Sequence, residues 1–321
     1  MGIRRLRLNF VVAVAMGNVV ATAFAGLLVS NNELGTVARF DDTGAFVDNF
    51  VVQSPSNLVY PGDLAYGPDG NLYAISTQQN AVKKFSGTTG ALLDTYAATS
   101  GMSVPEGLAF GPDGTFYVSS AGNDRVLRYD AVNGFQVFAS GGGLDAPEGL
   151  VFGPDGKLYV ASILTNQILR YDGTNGSFLD VFADASDGLS GPYGATFGPD
   201  GHLYVSNNTN NTVTKITGQH AATVFVSAGS GGLTTTHGLA FGPDGDLYVV
   251  ARNAQKVLRY DGATGAFIST FAQEGANSGP QWIAWQPVPE PSLAWCSMGT
   301  AAILMAIMGR RRSVSSERKP G

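Results

Sequence analysis

Five copies of the string [FY]-G-P-D-G, each followed by an apolar-Tyr pair, run through the chain at 66–70, 110–114, 152–156, 197–201 and 241–245. The last Gly recurs at intervals of 44, 42, 45 and 44. A fixed period in this range means one supersecondary unit repeated, because each unit buries its apolar faces only against its neighbours. Around the string every unit reads as four short runs: G-L-A-F, L-Y-V-S, V-L-R-Y and a stretch such as 178–183. These runs are rich in Val, Leu, Tyr and Phe and too short for helices, so they predict strands. Pro-Asp-Gly makes the first turn, with Pro presetting φ, Asp capping the backbone and Gly taking the left-handed position. Four-stranded antiparallel meanders repeated in this way are the blades of a β-propeller.

The ends set the number of blades. Ile283-Ala284-Trp285-Gln286-Pro287 mimics Leu239-Ala240-Phe241-Gly242-Pro243, after which the pattern stops at one strand. Leu27-Leu28-Val29-Ser30 matches Phe116-Tyr117-Val118-Ser119, so the first unit begins at its second strand. The prediction is an all-β, six-bladed β-propeller of four-stranded antiparallel blades, its ring closed by pairing N- and C-terminal strands in one blade. Closure removes the two open sheet edges.

Composition suits such a chain. Of 321 residues 44% are hydrophobic, and 43 Gly and 15 Pro supply turns. Between Gly26 and Pro287 there are 11 basic and 23 acidic residues, a net of -12. That balance lacks the cationic footprint of a phosphate-backbone reader, so nucleic acid is excluded as a partner. The one Cys, Cys296, lies outside the repeats, which leaves no disulfide and no Cys-based zinc site in them.

Both ends read as targeting segments. Residues 1–25 have Arg4, Arg5 and Arg7, an apolar stretch over 8–20, and Ala23-Phe24-Ala25 as small residues for cleavage before Gly26, the pattern of a signal peptide. At the other end Pro289-Glu290-Pro291 precedes an uncharged stretch over 293–309, expected to be a transmembrane helix, and then Arg310-Arg311-Arg312. That order over 288–312 resembles the PEP-CTERM sorting signal, leaving 313–321 as a basic cytoplasmic tail. The resemblance implies export from a Gram-negative-type bacterium through the secretion machinery and recognition by an exosortase. It further implies transient anchoring in the inner membrane by the C-terminal helix, then release to the cell surface or outside. The middle segment, 26–287, resembles NHL repeats in its G-[LI]-A and Tyr-Val cores, with Asn123-Asp124-Arg125-Val126 opening a third strand. Where such units often carry Asp two residues after the Tyr-Val pair, this chain has Asn31, Ser76, Ser120, Ser162, Asn207 and Ala251.

Propeller sites lie where inner strands converge at one mouth of the channel. The residue eight before each repeat Gly is Gly62, Glu106, Glu148, Tyr193 and His237, with Gln281 from the closing strand. Positions that serve only the scaffold should be alike in every unit, and these differ. Glu106 and Glu148, followed by Gly107 and Gly149, match the place where lactonases of the gluconolactonase and regucalcin type hold a divalent ion. That resemblance implies Ca²⁺ or Mg²⁺ on Glu106, Glu148 and Gln281, with His237 as the proton acceptor. The lactonases' Asn ligands have no counterpart in this ring. His202 and His220 belong to other faces, so no three-His zinc set can be assembled. The tyrosines at 73, 117, 159, 204 and 248 recur at one position and are expected in the core between blades.

The expected function is that of an exported, cell-surface or extracellular-matrix propeller. It would act as a non-catalytic binding or scaffold protein for a glycan or protein ligand. The alternative is a divalent-metal-dependent, lactonase-like hydrolase or lyase with its site at the channel mouth.

Overall fold

The computed structural model describes residues 24–97, 101–275 and 278–287. Strands β1 (Phe24–Asn31), β2 (Thr36–Phe40) and β3 (Phe46–Val51) are joined by the last strand, β24 (Pro280–Pro287), in the order β24-β1-β2-β3. This is the closing blade. The first blade holds β4 (Pro61–Tyr66), β5 (Leu72–Ser76), β6 (Ala81–Phe85) and β7 (Leu92–Ala97). The second holds β8 (Pro105–Phe110), β9 (Phe116–Ser120), β10 (Arg125–Asp130) and β11 (Gly134–Ser140). The third holds β12 (Pro147–Phe152), β13 (Leu158–Ser162), β14 (Gln167–Tyr171) and β15 (Phe178–Ala183). The fourth holds β16 (Pro192–Phe197), β17 (Leu203–Asn207), β18 (Thr212–Gly218) and β19 (Ala221–Val226). The fifth holds β20 (Thr236–Phe241), β21 (Leu247–Ala251), β22 (Lys256–Tyr260) and β23 (Phe267–Gln273). All pairings are antiparallel, and β1 pairs with β24 from Gly26↔Gln286 to Asn31↔Pro280, so six four-stranded blades close into the ring that the repeats predict.

The repeated aromatics explain why blades adhere. Tyr73, Tyr117, Tyr159, Tyr204 and Tyr248 on the second strands are all buried. Each lies edge-on to the first-strand aromatic of the next blade: Phe110, Phe152, Phe197, Phe241 and Trp285, at centroid distances of 4.8–5.2 Å. Such pairs add about 0.5–1.5 kcal/mol each beyond the apolar area they bury. Trp285 thus completes the series across the closure. Four of these tyrosines, at 73, 159, 204 and 248, donate their hydroxyl to the Asp of the G-P-D-G turn, whose other oxygen caps a backbone N–H. The turn aspartates are therefore committed to the scaffold.

The Ser and Asn residues that end the second strands have a similar task. Ser76, Ser120, Ser162 and Asn207 each accept the N–H of the residue 17 positions earlier, in the link between blades, at 2.8–3.1 Å. Gly at the third turn of a blade allows its neighbour to close in: an added Cβ on Gly176 would run into the carbonyl of Phe138, and φ there is +74°. Across the closure Gly44 stands in the same way against Phe271.

Among the described residues no helix is long and apolar enough to cross a membrane. The expected signal peptide apart from Phe24 and Ala25, and the whole of 288–321 with Pro289, Glu290, Pro291, Arg310, Arg311 and Arg312, lie outside the described residues, as does Ala23. Cleavage before Gly26 would take from β1 only the Phe24↔Pro287 pair.

Trp285→Ala should lower stability by about 3 kcal/mol, since it removes a large aromatic from the closing seam. Denaturant unfolding would measure this. Truncation before Pro280 should abolish the cooperative transition, because β1 then loses its inner partner.

Candidate functional site

A recurrent irregularity builds the mouth of the channel. In the first blade Pro61 pairs with Ser76 but Leu64 with Ala74, and the same one-residue slip recurs at Pro105/Leu108, Pro147/Leu150, Pro192/Ala195 and Thr236/Leu239. The two residues after the strand's start are thus lifted from the ladder in a bulge, which turns a side chain toward the channel. The freed backbone N–H is satisfied from the second strand: Ser119 accepts from Gly107 at 2.7 Å, Ser206 from Gly194 at 2.8 Å and Ser30 from Trp282 at 3.0 Å.

The structure brings together the predicted ring residues. Gln281 Nε2 of the closing blade donates to Glu106 Oε2 of the second blade at 3.1 Å and to the Tyr193 hydroxyl of the fourth at 2.6 Å. The Tyr193 hydroxyl also favours the charged form of the neighbouring Glu148. The His237 ring lies on Tyr193 with centroids 4.1 Å apart. Gln281, His237 and Tyr193 are only 3%, 5% and 6% exposed, while Glu106 and Glu148 are half-buried. Below this layer Trp282 lies across the channel. A Cβ added to Gly149, on the blade opposite, would come within 3.1 Å of its indole.

Two further residues belong to the site. Asp63 occupies the position below the ring where other blades have Gly107, Gly149, Gly194 and Gly238. It is 8% exposed and accepts the N–H of Leu64 at 2.8 Å and of Leu108, in the next blade, at 3.0 Å. The sequence carried the signal: Gly62-Asp63 stands where the neighbouring units have Glu-Gly. Arg252, directly after β21, donates its backbone N–H to Thr235, and its guanidinium meets Glu33 Oε1 at 3.5 Å.

Burial dominates the electrostatics. It raises Asp63 to about 7 and Glu106 to about 8, with the charge of Arg252 opposing the rise at Glu106. Glu148 is raised well above the usual carboxylate range by burial and then by the neighbouring Glu106. Burial, reinforced by Arg252, lowers His237 to about 3, so its imidazole is neutral at physiological pH. Glu148 Oε2, Gln281 Oε1 and His237 Nδ1 are buried and have no hydrogen-bond partner. Strongly shifted groups clustered at a concave mouth mark a functional site.

The donor chemistry fits the divalent ion that the lactonase resemblance implies. Carboxylate and amide oxygens suit Ca²⁺ or Mg²⁺, and the unpartnered Glu148 Oε2 and Gln281 Oε1 are oxygens that a cation would satisfy. Among the described residues the one set of three His or carboxylate ligand atoms within 4.8 Å of one another is Asp184, Asp187 and His220, at the blade periphery. Asp187 Oδ2 there already accepts from the Asp184 backbone and contacts His220 Nδ1 at 2.8 Å. Glu106, Glu148 and His237 do not form such a set. His202 sits on the G-P-D-G turn at the other face, away from both groups. A cleft of about 300 Å³ also opens on that other face, walled by Tyr73, Tyr96, Phe110, Phe116 and Tyr129.

Residues 8–183 match the model of the SMP-30/Gluconolactonase/LRE-like region, more than half of the chain. The chain belongs to this family. No curated protein matches it significantly. Among solved structures the gluconolactonase-like chain is similar to the virginiamycin B lyase of Staphylococcus aureus, at 19% identity and a TM-score of 0.60, over 82% of this chain and 89% of that one. It is also similar to a chain of the nidogen/laminin complex, at 19% identity and a TM-score of 0.68, over 81% and 98%. These likenesses establish the propeller fold of the gluconolactonase-like chain.

The carboxyls fix a pH dependence. A carboxyl whose folded value lies above its unfolded one stabilises fully below the unfolded value, and that stability is lost as pH rises through the folded value. For Glu106 the loss runs from about 4.5 to about 8. In the presence of a chelator, Glu106→Gln should therefore raise the melting temperature at pH 8.5 by about 2–4 °C, the shift of about 1 kcal/mol in a domain of this size. At pH 5 it should change little. Circular dichroism melts at the two pH values would show this.

Proposed function

We propose that the ring is the active site of a divalent-metal-dependent, lactonase-like hydrolase or lyase. One observation carries the reading: Glu106 and Glu148, both held toward their protonated forms, stand beside a neutral His237 whose Nδ1 has no partner. Ring opening of a lactone needs a proton removed from water and a proton given to the departing oxygen, so it needs an acid and an acceptor at one mouth. With the ion bound, Glu106 and Glu148 act as ionised ligands, and His237 Nδ1 takes the proton of the attacking water and returns it to the departing oxygen, with Tyr193 holding the imidazole in place. Gln281 fixes the carboxyl of Glu106 and the hydroxyl of Tyr193 across the channel. A divalent ion on Glu106, Glu148 and Gln281 would supply positive charge to a carbonyl oxygen. The family to which the chain belongs, and its likeness in fold to a lyase, support this assignment.

The second reading is a non-catalytic binding or scaffold protein for a glycan or protein ligand. It is favoured by the absence, among the described ring residues, of three carboxylate or His ligand atoms already drawn together. Either reading includes export through the secretion machinery and exosortase recognition of the segment after Pro287, which would place the propeller at the cell surface or in the extracellular matrix.

Purified protein assayed with Ca²⁺ or Mg²⁺ on a panel of sugar lactones should show ring opening. Glu106→Gln, Glu148→Gln and His237→Ala should each reduce kcat/KM by about 10²–10⁴-fold while circular dichroism is unchanged. A metal-dependent rise in Tm, lost in the Glu106→Gln, Glu148→Gln double variant, would place the ion at the ring. No turnover on any lactone, with a Tm rise on adding an oligosaccharide, would decide for the binding reading.

A further inference from the structure

Arg252 stands where the other second strands are followed by Asn32, Thr77, Ala121, Ile163 and Asn208. Its backbone is fixed beside His237, because Ala251 pairs with Thr236 and Arg252 N–H reaches Thr235 O at 3.1 Å. Its side chain extends toward the closing blade, where Glu33 rests against Gly279, two residues before Gln281. The charge of Arg252 is felt by His237 on its own blade, by Tyr193 on the blade before, and by Glu106 on the blade directly opposite. Because Thr236, at the start of the inner strand, pairs with Ala251, Arg252 lies on the face of the ring where the mouth opens. Its contact with Glu33 is long, at 3.5 Å, and Glu33 is half-exposed. Such a pair is weak and readily exchanged. Whether Glu106 and Glu148 are neutralised by protons or by a divalent ion, Arg252 leaves a positive charge above them.

We propose that Arg252 is the specificity residue of this mouth and selects a substrate that carries a carboxylate. The inference rests on the reading of the ring as the substrate site and adds the charge of what it takes. The guanidinium leaves Glu33 and binds the substrate carboxylate through two parallel N–H donors, a geometry that a neutral hydroxymethyl group cannot use.

The test uses two lactones that differ in one group, galactono-1,4-lactone with a terminal hydroxymethyl and galactaro-1,4-lactone with a carboxylate in its place. Titration calorimetry on the purified protein with Mg²⁺ should give tighter binding of the carboxylate lactone by about 10- to 100-fold, the range for a charge-assisted contact. Arg252→Gln should collapse the ratio of the two affinities to near one, Arg252→Lys should keep part of it, and Glu33→Gln should enlarge it by freeing the guanidinium. An equal affinity for both lactones, a ratio that survives Arg252→Gln, or no binding of either overturns the proposal. Selective binding without turnover would instead sink the enzyme reading while Arg252 keeps its role, and turnover of both lactones at one rate would do the reverse.

Discussion

A blade of this protein is apolar on both faces, so it is stable only between two others. The edge-to-face contact of a second-strand tyrosine with the first-strand aromatic of the next blade is the unit of that dependence, and it repeats from Tyr73–Phe110 to Tyr248–Trp285. A linear row would leave the outer faces of the first and last blades in water. The β1–β24 pairing removes that exposure by making one blade from both ends of the chain. The channel and its mouth exist because the row is forced into a ring.

The site is a by-product of the same geometry put to use. Six inner strands reach the axis, each with a bulge near its start, so Glu106, Tyr193 and Gln281 from three blades meet within hydrogen-bonding distance although Glu106 and Gln281 lie 175 residues apart in sequence. Trp282 fills the space that glycines leave below them. Burial then sets the chemistry: acids move toward neutrality and the imidazole is kept neutral. A proton, an ion or a ligand is what the unpartnered oxygens and nitrogen of the ring require.

Much of this was legible from the chain. The Phe-Gly-Pro-Asp-Gly spacing gave the blades, and the match of Trp285 to Phe241 gave the closure. Comparison of repeat positions found Glu106, Glu148, Tyr193, His237 and Gln281, because a scaffold repeats and a site does not. Asp63 escaped that comparison by one residue, since its unit carries Gly62 in the ring register and the acid one place later. Arg252 escaped because it lies after a second strand, in a loop whose direction no period encodes. The aspartates of the turns are explained as well: four of them accept a tyrosine hydroxyl on one oxygen and a backbone N–H on the other, which ties them to the scaffold.

The sequence by itself determined the strands, the turns and the number of blades, because these depend on local propensity and on a period that any reader of the chain can count. It also determined which positions were free to vary, and hence where to look. Only the tertiary structure decided that Gln281 bridges Glu106 and Tyr193, that Trp282 closes the channel beneath them and that Arg252 stands above. Those relations depend on the distance and dielectric between residues from different blades, which are fixed when the ring closes and not before.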